Sequence, residues 1–375
     1  METRHRVAVY LYDARNEYVG IGEFEKNIGM CIAARAKELR EKYGVELYFM
    51  VGKKQIGSFG GDVKYIKVNN FVKVLVNIDP THLLCRLVIP KVDLMHLTHQ
   101  QPKFHRGISR YTLLTIHDIN FFHNNLNRSL FNKIRRIKRA LRSATHLSFI
   151  SQFTSKDVKA HFPIKQPNRI IMNGVSDLSQ LPISAETEQA FKDRMLPKDF
   201  LFHVSGLGEK KNVHLIVEMM KHLPNETLVV AGKGKKKAYE RLQKIIDENQ
   251  LKNVYILGGV NREEKALLFK HCKAFLFPSL SEGFGLPVLE AMCFGKPTII
   301  SNRTSLPEVG GDIAYYYDQL EPAVMATVTA ASIASFYSSP EENKKRTKQH
   351  AASFSWERAA DEYIGYYLDI LGIAP

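Results

Sequence analysis

The feature that most constrains the fold is an alternation that runs along the chain twice. Short apolar runs of strand length are each followed by a polar or glycine-bearing turn and a stretch of helical period. In the first half the runs are Arg6–Tyr12, Val45–Val51, Val92–Leu97, Thr112–His117, His146–Ile150 and Asn168–Met172. In the second they are Phe200–Val204, Thr227–Ala231, Asn253–Leu257, Ala274–Phe277 and Pro297–Ile300. Strands interleaved with helices call for a parallel sheet with both faces covered. The polar segment Val175–Lys198 reads as a linker containing a helical piece. A chain of 375 residues has length for two such units. The expected class is α/β, with two doubly wound domains facing a central cleft. Domain boundaries fall at 1–178 and 179–352, and residues 353–375 form a final helix, capped by Ser355 and carrying the only tryptophan, Trp356.

No run of about 18 apolar residues is present, and Met1–Val7 lacks a signal-peptide core, so the expected location is cytoplasmic. Cys31, Cys85, Cys272 and Cys293 are too scattered for a zinc motif or a disulfide framework. The net charge of +15 is uneven: residues 1–175 hold 29 Lys and Arg against 13 Asp and Glu, and residues 176–375 hold 24 against 25. The densest basic run, Lys133–Arg142, has Ile134, Ile137 and Leu141 at helical spacing with cations between them. It admits a solvated helix face or attraction to an anionic membrane surface or lipid-linked acceptor. Nucleic acid is not expected as a partner, because no aromatic-basic stacking motif accompanies the charge.

The stretch Ser281-Glu-Gly-Phe-Gly-Leu-Pro-Val-Leu-Glu-Ala291 carries the chemistry. It follows a buried strand, has glycines at 283 and 285, and enters a short helix near Pro287 that stops at Gly295. The N–H groups of Phe284, Gly285 and Leu286 then sit at a helix N-terminus, where anions bind. Glu282 precedes that entrance and Glu290 is expected on the first turn. Two acids beside an anion site are poor phosphate ligands and good acceptors for hydroxyls, which suits a nucleotide sugar. A second site element is Lys210-Lys211 before the helix beginning near Val213. Cations at a helix N-terminus oppose its dipole, so a bound anion explains them better than helix stability does.

Three further features are weaker when taken singly. Gly20-Ile-Gly22 leads into a helix-like stretch over Glu23–Glu41, where glycine permits either close phosphate approach or a tight turn. His117-Asp118 lies just past a strand end, where ligands of doubly wound sheets bind. Gly232–Lys237 is a basic turn that either faces ligand or is solvated.

Together these motifs resemble retaining glycosyltransferases of the GT-B fold, above all glycosyltransferase family 4, the group 1 glycosyltransferases. Glu282-Gly-Phe-Gly-Leu-Pro-Val-Leu-Glu290 is similar to the family's two-glutamate signature. Gly20-Ile-Gly22 resembles its N-terminal glycine loop, Thr115-Ile-His-Asp118 its acceptor-side His-Asp, and Ser151–Val158 the segment closing its first domain. Asn173-Gly-Val175 resembles the turn before the linker, Lys211-Asn212 the phosphate-binding lysine, and Phe354-Ser-Trp356 the start of a last helix that crosses back to the first domain. Where many members carry a second phosphate-binding arginine, this chain has Gly206, and Lys210 is expected to supply part of that charge.

The resemblance implies two Rossmann-like domains, an acceptor domain followed by a donor domain. Glu282, Lys211 and His117 would be catalytic. Gly22, Gly206, Lys210, Lys211, Phe284, Gly285, Leu286 and Glu290 would bind the donor, with Glu290 on the ribose, and His117 and Asp118 would face the acceptor. The implied partners are a nucleoside diphosphate sugar, with GDP-mannose favoured over UDP-hexoses, and a glycan or lipid-linked glycan of a surface polysaccharide. No cofactor or metal is expected, since no D-x-D motif follows a strand. A nucleotide-sugar epimerase, a phosphorylase and a non-catalytic sugar-binding subunit share the architecture and stay open at this level.

Overall fold

A computed structural model describes residues 5–16, 20–69, 89–100, 109–123 and 128–374. Cys85 lies outside them; Cys31, Cys272 and Cys293 are free thiols. The chain divides into two compact units, residues 1–174 with 355–375, and residues 175–354.

The first unit is built on a seven-stranded sheet of β1 (His5–Tyr10), β2 (Val45–Val51), β3 (Lys64–Lys67), β4 (Val92–Leu97), β5 (Ser109–Ile116), β6 (His146–Phe149) and β7 (Asn168–Ile170). Its order is β3-β2-β1-β4-β5-β6-β7, and every pairing is parallel. Chain connections leave β1 and β4 in opposite directions, so these two neighbours mark the topological switch point. β1 is apolar on both faces because helices cover both: Val7, Ala8, Val9 and Tyr10 have no exposed surface. The expected helix over 23–41 is two helices, Gly20–Ala34 and Ala36–Tyr43, separated at Arg35.

The last helix, Trp356–Leu371, belongs to this unit. Ser355 caps it by accepting the Arg358 N–H at 3.1 Å. Its buried face meets an unusual stripe of polar residues on the sheet. His96 Nδ1 contacts Tyr367 Oη at 2.6 Å and His96 Nε2 contacts Thr115 Oγ1 at 2.7 Å. Tyr363 Oη lies 3.2 Å from Thr115 Oγ1 and 3.3 Å from Ser148 Oγ. Buried polar groups are costly unless paired, and here β4, β5 and β6 find their partners on the terminal helix. A side chain at Gly174 would fall 2.2 Å from the Trp356 nitrogen, so glycine there allows the helix start to dock.

The second unit holds a six-stranded parallel sheet of β8 (Leu201–Val204), β9 (Leu228–Ala231), β10 (Val254–Gly258), β11 (Ala274–Phe277), β12 (Thr298–Ser301) and β13 (Tyr315–Tyr317). The order β10-β9-β8-β11-β12-β13 repeats the first unit's winding, with the switch point between β8 and β11. Residues 175–198 do not form a free linker. Their helix Ala185–Asp193 docks on helix Arg262–His271, where Ser184 Oγ donates to Glu263 at 2.6 Å and Phe191 stacks on His271. Among the described residues no helix is long and apolar enough to cross a membrane.

Candidate functional site

The second unit's switch point is flanked by the loops that leave β8 and β11, and hydrogen bonds fasten them together. Leu280 N–H donates to Lys210 O at 2.7 Å, Ser279 Oγ donates to the same carbonyl at 3.2 Å, and Asn212 Nδ2 donates to Pro278 O at 3.1 Å. Asn212 adopts φ +53°, a left-handed conformation that asparagine tolerates better than most residues. It ends the turn Glu209–Lys211 and sets the direction of helix Val213–Met219. This arrangement brings Lys211 to Glu282: Nζ donates to Oε1, and both side chains are largely buried. Lys211 Nζ also lies 5.1 Å above the Phe277 ring. Below it the fully buried His203 donates from Nδ1 to Leu276 O at 2.8 Å. Its pKa is pushed down to about 4, chiefly by burial, so His203 is neutral at pH 7.

Glu282 is held from a third loop. Its N–H donates to Thr304 Oγ1 at 3.0 Å, and Ser305 Oγ bonds the carbonyls of Glu282 and Phe284 at 3.0 and 2.9 Å. Thr304 does this at φ +55°, where a β-branched residue costs about 1–3 kcal/mol. Helix Leu286–Cys293 then starts at Gly285, whose φ is +123°. A side chain at Gly285 would strike Leu306 at 2.8 Å, so this glycine answers the protein's own packing. Leu286 and Phe284 are buried beside it. Glu290 is the fifth residue of that helix, just past the first turn on which it was expected. It is 1 % exposed; Oε1 accepts from Lys265 Nζ at 2.5 Å, and Oε2 has no hydrogen-bond partner among the described residues. Gly206 is exposed, with open space where a side chain would be.

The first unit carries the other expected residues. Gly22 lies in the first turn of helix Gly20–Ala34, and a Cβ there would sit 2.1 Å from Asn16 O. Glycine is therefore demanded by the chain's own backbone, independent of any phosphate. His117 follows β5 and is buried; Nε2 donates to Thr98 O at 2.8 Å, which fixes the tautomer because a carbonyl only accepts. Burial first, and then the His99 charge, lowers its pKa to about 4 against the raising effect of that bond. Asp118 accepts the Asn120 N–H at 3.0 Å.

Several residues escaped the sequence reading. Lys265, which pairs with Glu290, lies on an amphipathic helix without a motif, and Thr304 and Ser305 sit in a plain polar loop. At the first unit's switch point, β1 runs into Asp13 and β4 into Thr98 and His99, next to Glu25 on the glycine-led helix. Glu25 is wholly buried; Oε2 accepts the N–H groups of Asp13 and Ala14 at 2.6 and 2.9 Å, and Oε1 lies 2.7 Å from Thr98 Oγ1. Thr98 has one hydroxyl proton, and it is also bonded to the Tyr10 carbonyl, which only accepts. The network closes when Glu25 carries the second proton, and burial pushes its pKa up to about 8. Asp13, Glu25 and His99 bring ligand atoms within 4.8 Å of one another. Position after a strand end was the signal available for Asp13 and His99.

Two successive doubly wound units, the second with a cation–acid pair at its switch point, constitute the GT-B glycosyltransferase fold. A Rickettsia africae glycosyltransferase structure superposes on 98 % of this chain and 98 % of its own with a TM-score of 0.69 at 15 % identity. Residues 185–352 match the family "Glycosyl transferases group 1". The serotype-specific mannosyltransferase WbdA of Escherichia coli is 29 % identical over 248 residues, covering 63 % of this chain and 30 % of the relative. The O-antigen chain mannosyltransferase B of Escherichia coli is 30 % identical over 178 residues, 45 % of each chain. This chain thus spans about a third of the length of the WbdA proteins it matches.

Proposed function

We propose that the protein is a hexosyltransferase, moving a hexose from a nucleoside diphosphate sugar to a hydroxyl of a glycan or lipid-linked glycan of a surface polysaccharide, with retained configuration. The observation that carries this reading is Glu290. A carboxylate buried on the helix that follows Glu282, with one oxygen held by Lys265 and the other without a partner, is a ready acceptor for ribose hydroxyls. The mannosyltransferase relatives support mannose, and GDP-mannose as donor.

In the proposed step the acceptor oxygen bonds to the sugar's anomeric carbon as the bond from that carbon to the diphosphate oxygen breaks. Attack comes from the leaving-group side, and the departing phosphate oxygen takes the acceptor proton. Lys211, aided by Lys210 and the N–H groups of Phe284 to Leu286, offsets the charge developing on the diphosphate. Glu282 orients Lys211 and contacts the transferred sugar. His117 and Asp118 serve the acceptor side, His117 as a neutral hydrogen-bonding group. No metal is required by this scheme, because its cations are side chains. The location is cytoplasmic and peripheral. Arg135, Arg136, Lys138, Arg139 and Arg142 on helix Arg128–Ser143 have no ion-pair partner among the described residues, and Phe131 is 71 % exposed, which supports docking on an anionic membrane.

Thermal-shift measurement against a panel of nucleotide sugars tests the reading. A donor at about 100 times its Kd should add about 2.7 kcal/mol, and GDP-mannose should lead. Absence of any shift across the panel refutes donor binding. An epimerised sugar nucleotide formed without acceptor would replace transferase by epimerase.

A further inference from the structure

The segment Gly206–His214 and one face of helix Lys236–Glu248 border an open cavity of about 940 Å³ within the second unit. Its floor is apolar: Leu207, Val213 and Leu242 are buried there, with Ala238 partly so. Its walls are cationic, with seven Lys and Arg against two Glu. Some of those cations are satisfied. Lys211 bonds Glu282, and Lys244 lies 3.6 Å from Glu248. Lys210, Lys235, Lys237 and Arg241 have no ion-pair partner among the described residues. Lys237, Arg241 and Lys244 stand at i, i+4 and i+7 of the helix, so they share the face turned to the cavity.

The same helix opens with Lys235, Lys236 and Lys237, lacks an acid in its first turn and has no side-chain cap. Positive charge at the positive end of a helix dipole is unfavourable in the empty protein, and an anion offsets it. Phe284, Glu282 and Glu290 are not part of this wall. Of the residues assigned to the donor, Gly206, Lys210 and Lys211 border it, so the cavity extends from the donor corner along a different helix.

We propose that this cavity is a second anion site, which holds a phosphate ester whose remaining part is apolar or planar. The cations engage the phosphate, and Leu207, Val213, Ala238 and Leu242 cover the body. A lipid phosphate and a nucleotide share that chemistry, and the body distinguishes them.

The test is isothermal titration of the full-length chain with farnesyl phosphate, AMP and inorganic phosphate. Farnesyl phosphate or AMP should bind one per chain, at least tenfold more tightly than inorganic phosphate, and the tighter of the two identifies the source. The double variant Lys237→Glu, Arg241→Glu should weaken that binding at least tenfold. Both residues are exposed, and an unchanged melting temperature confirms the fold; Lys237→Gln, Arg241→Gln gives a milder check. Farnesyl phosphate has no ribose for Glu290 to hold, so its binding does not depend on the donor reading, whereas AMP binding abolished by Glu290→Gln would belong to the donor site and overturn a second site for nucleotide. Affinity insensitive to the charge reversal, or no preference over inorganic phosphate, overturns the proposal.

Discussion

Replacing Lys265 by methionine should destabilise the donor helix far more than its position near the surface suggests. Lys265 keeps 21 % of its side-chain surface, but its partner Glu290 keeps 1 %, and the two meet at 2.5 Å. Methionine fills the same space and leaves a buried carboxylate without a counter-charge. Breaking a buried pair from one side costs about 3–5 kcal/mol, and Lys265's partial exposure argues for the lower end, about 3 kcal/mol. The assay is native-state hydrogen exchange of the amides in Leu286–Cys293, where about 3 kcal/mol corresponds to a roughly 100-fold loss of protection. Adding Glu290→Gln removes the stranded charge, so the double variant should recover to within about 1 kcal/mol of the parent. Protection in Lys265→Met within about threefold of the parent, or a double variant worse than the single, would refute the reasoning.

Three other outcomes are expected. Lys211→Ala should lower turnover by about 10²–10³ in a glycosyl-transfer assay, the scale of losing one preorganised charge donor; near-parental turnover removes it from the mechanism. Turnover should survive EDTA, and activity lost to the chelator and restored by manganese would contradict the side-chain cation scheme. Glu25→Gln should flatten part of the pH dependence of stability. Glu25 is protonated in the fold up to about pH 8 and ionises in the unfolded chain near 4.5, the ordinary value for a glutamate, so stability falls as pH rises between those values. The slope is at most about 1.4 kcal/mol per pH unit. The glutamine N–H₂ can replace the proton given to Thr98, so the variant should match the parent near pH 5 and exceed it at pH 8 by chemical denaturation. Identical profiles would mean that Glu25 is ionised in the fold.

These strands were legible because burial on both faces leaves a largely apolar run: Val45–Val51, Val92–Leu97 and Ala274–Phe277 begin and end where expected. Two of the four edge strands were not. Lys64–Lys67 and Tyr315–Tyr317 have a single paired edge and partial burial, so nothing forces an apolar pattern on them. Of the candidate site, the loop pair carrying Lys211 and Glu282 could be read because helix entrances with misplaced cations and acids violate local preferences. Glycine has a packing reason of its own in two places that the sequence does not show: Gly22 and Gly285 make room for Asn16 and Leu306. Lys265 was invisible because its role depends on which helix lies beside Glu290, which is a property of the sheet order. Glu25 was invisible because a glutamate on a helix is ordinary until its burial is known.

The docking of Trp356–Leu371 into the first unit has a consequence for how the protein is made. Residues 1–174 leave the ribosome first, yet His96, Thr115 and Ser148 have to wait for Tyr363 and Tyr367. At about 5–20 residues per second, the intervening chain takes on the order of ten to forty seconds to synthesise. The second unit, continuous from 175 to 354, is complete before that helix exists. The usual order of maturation is thereby inverted: the amino-terminal unit finishes last, and a nascent chain halted before residue 356 would hold a finished second unit beside a first unit with its polar stripe uncovered.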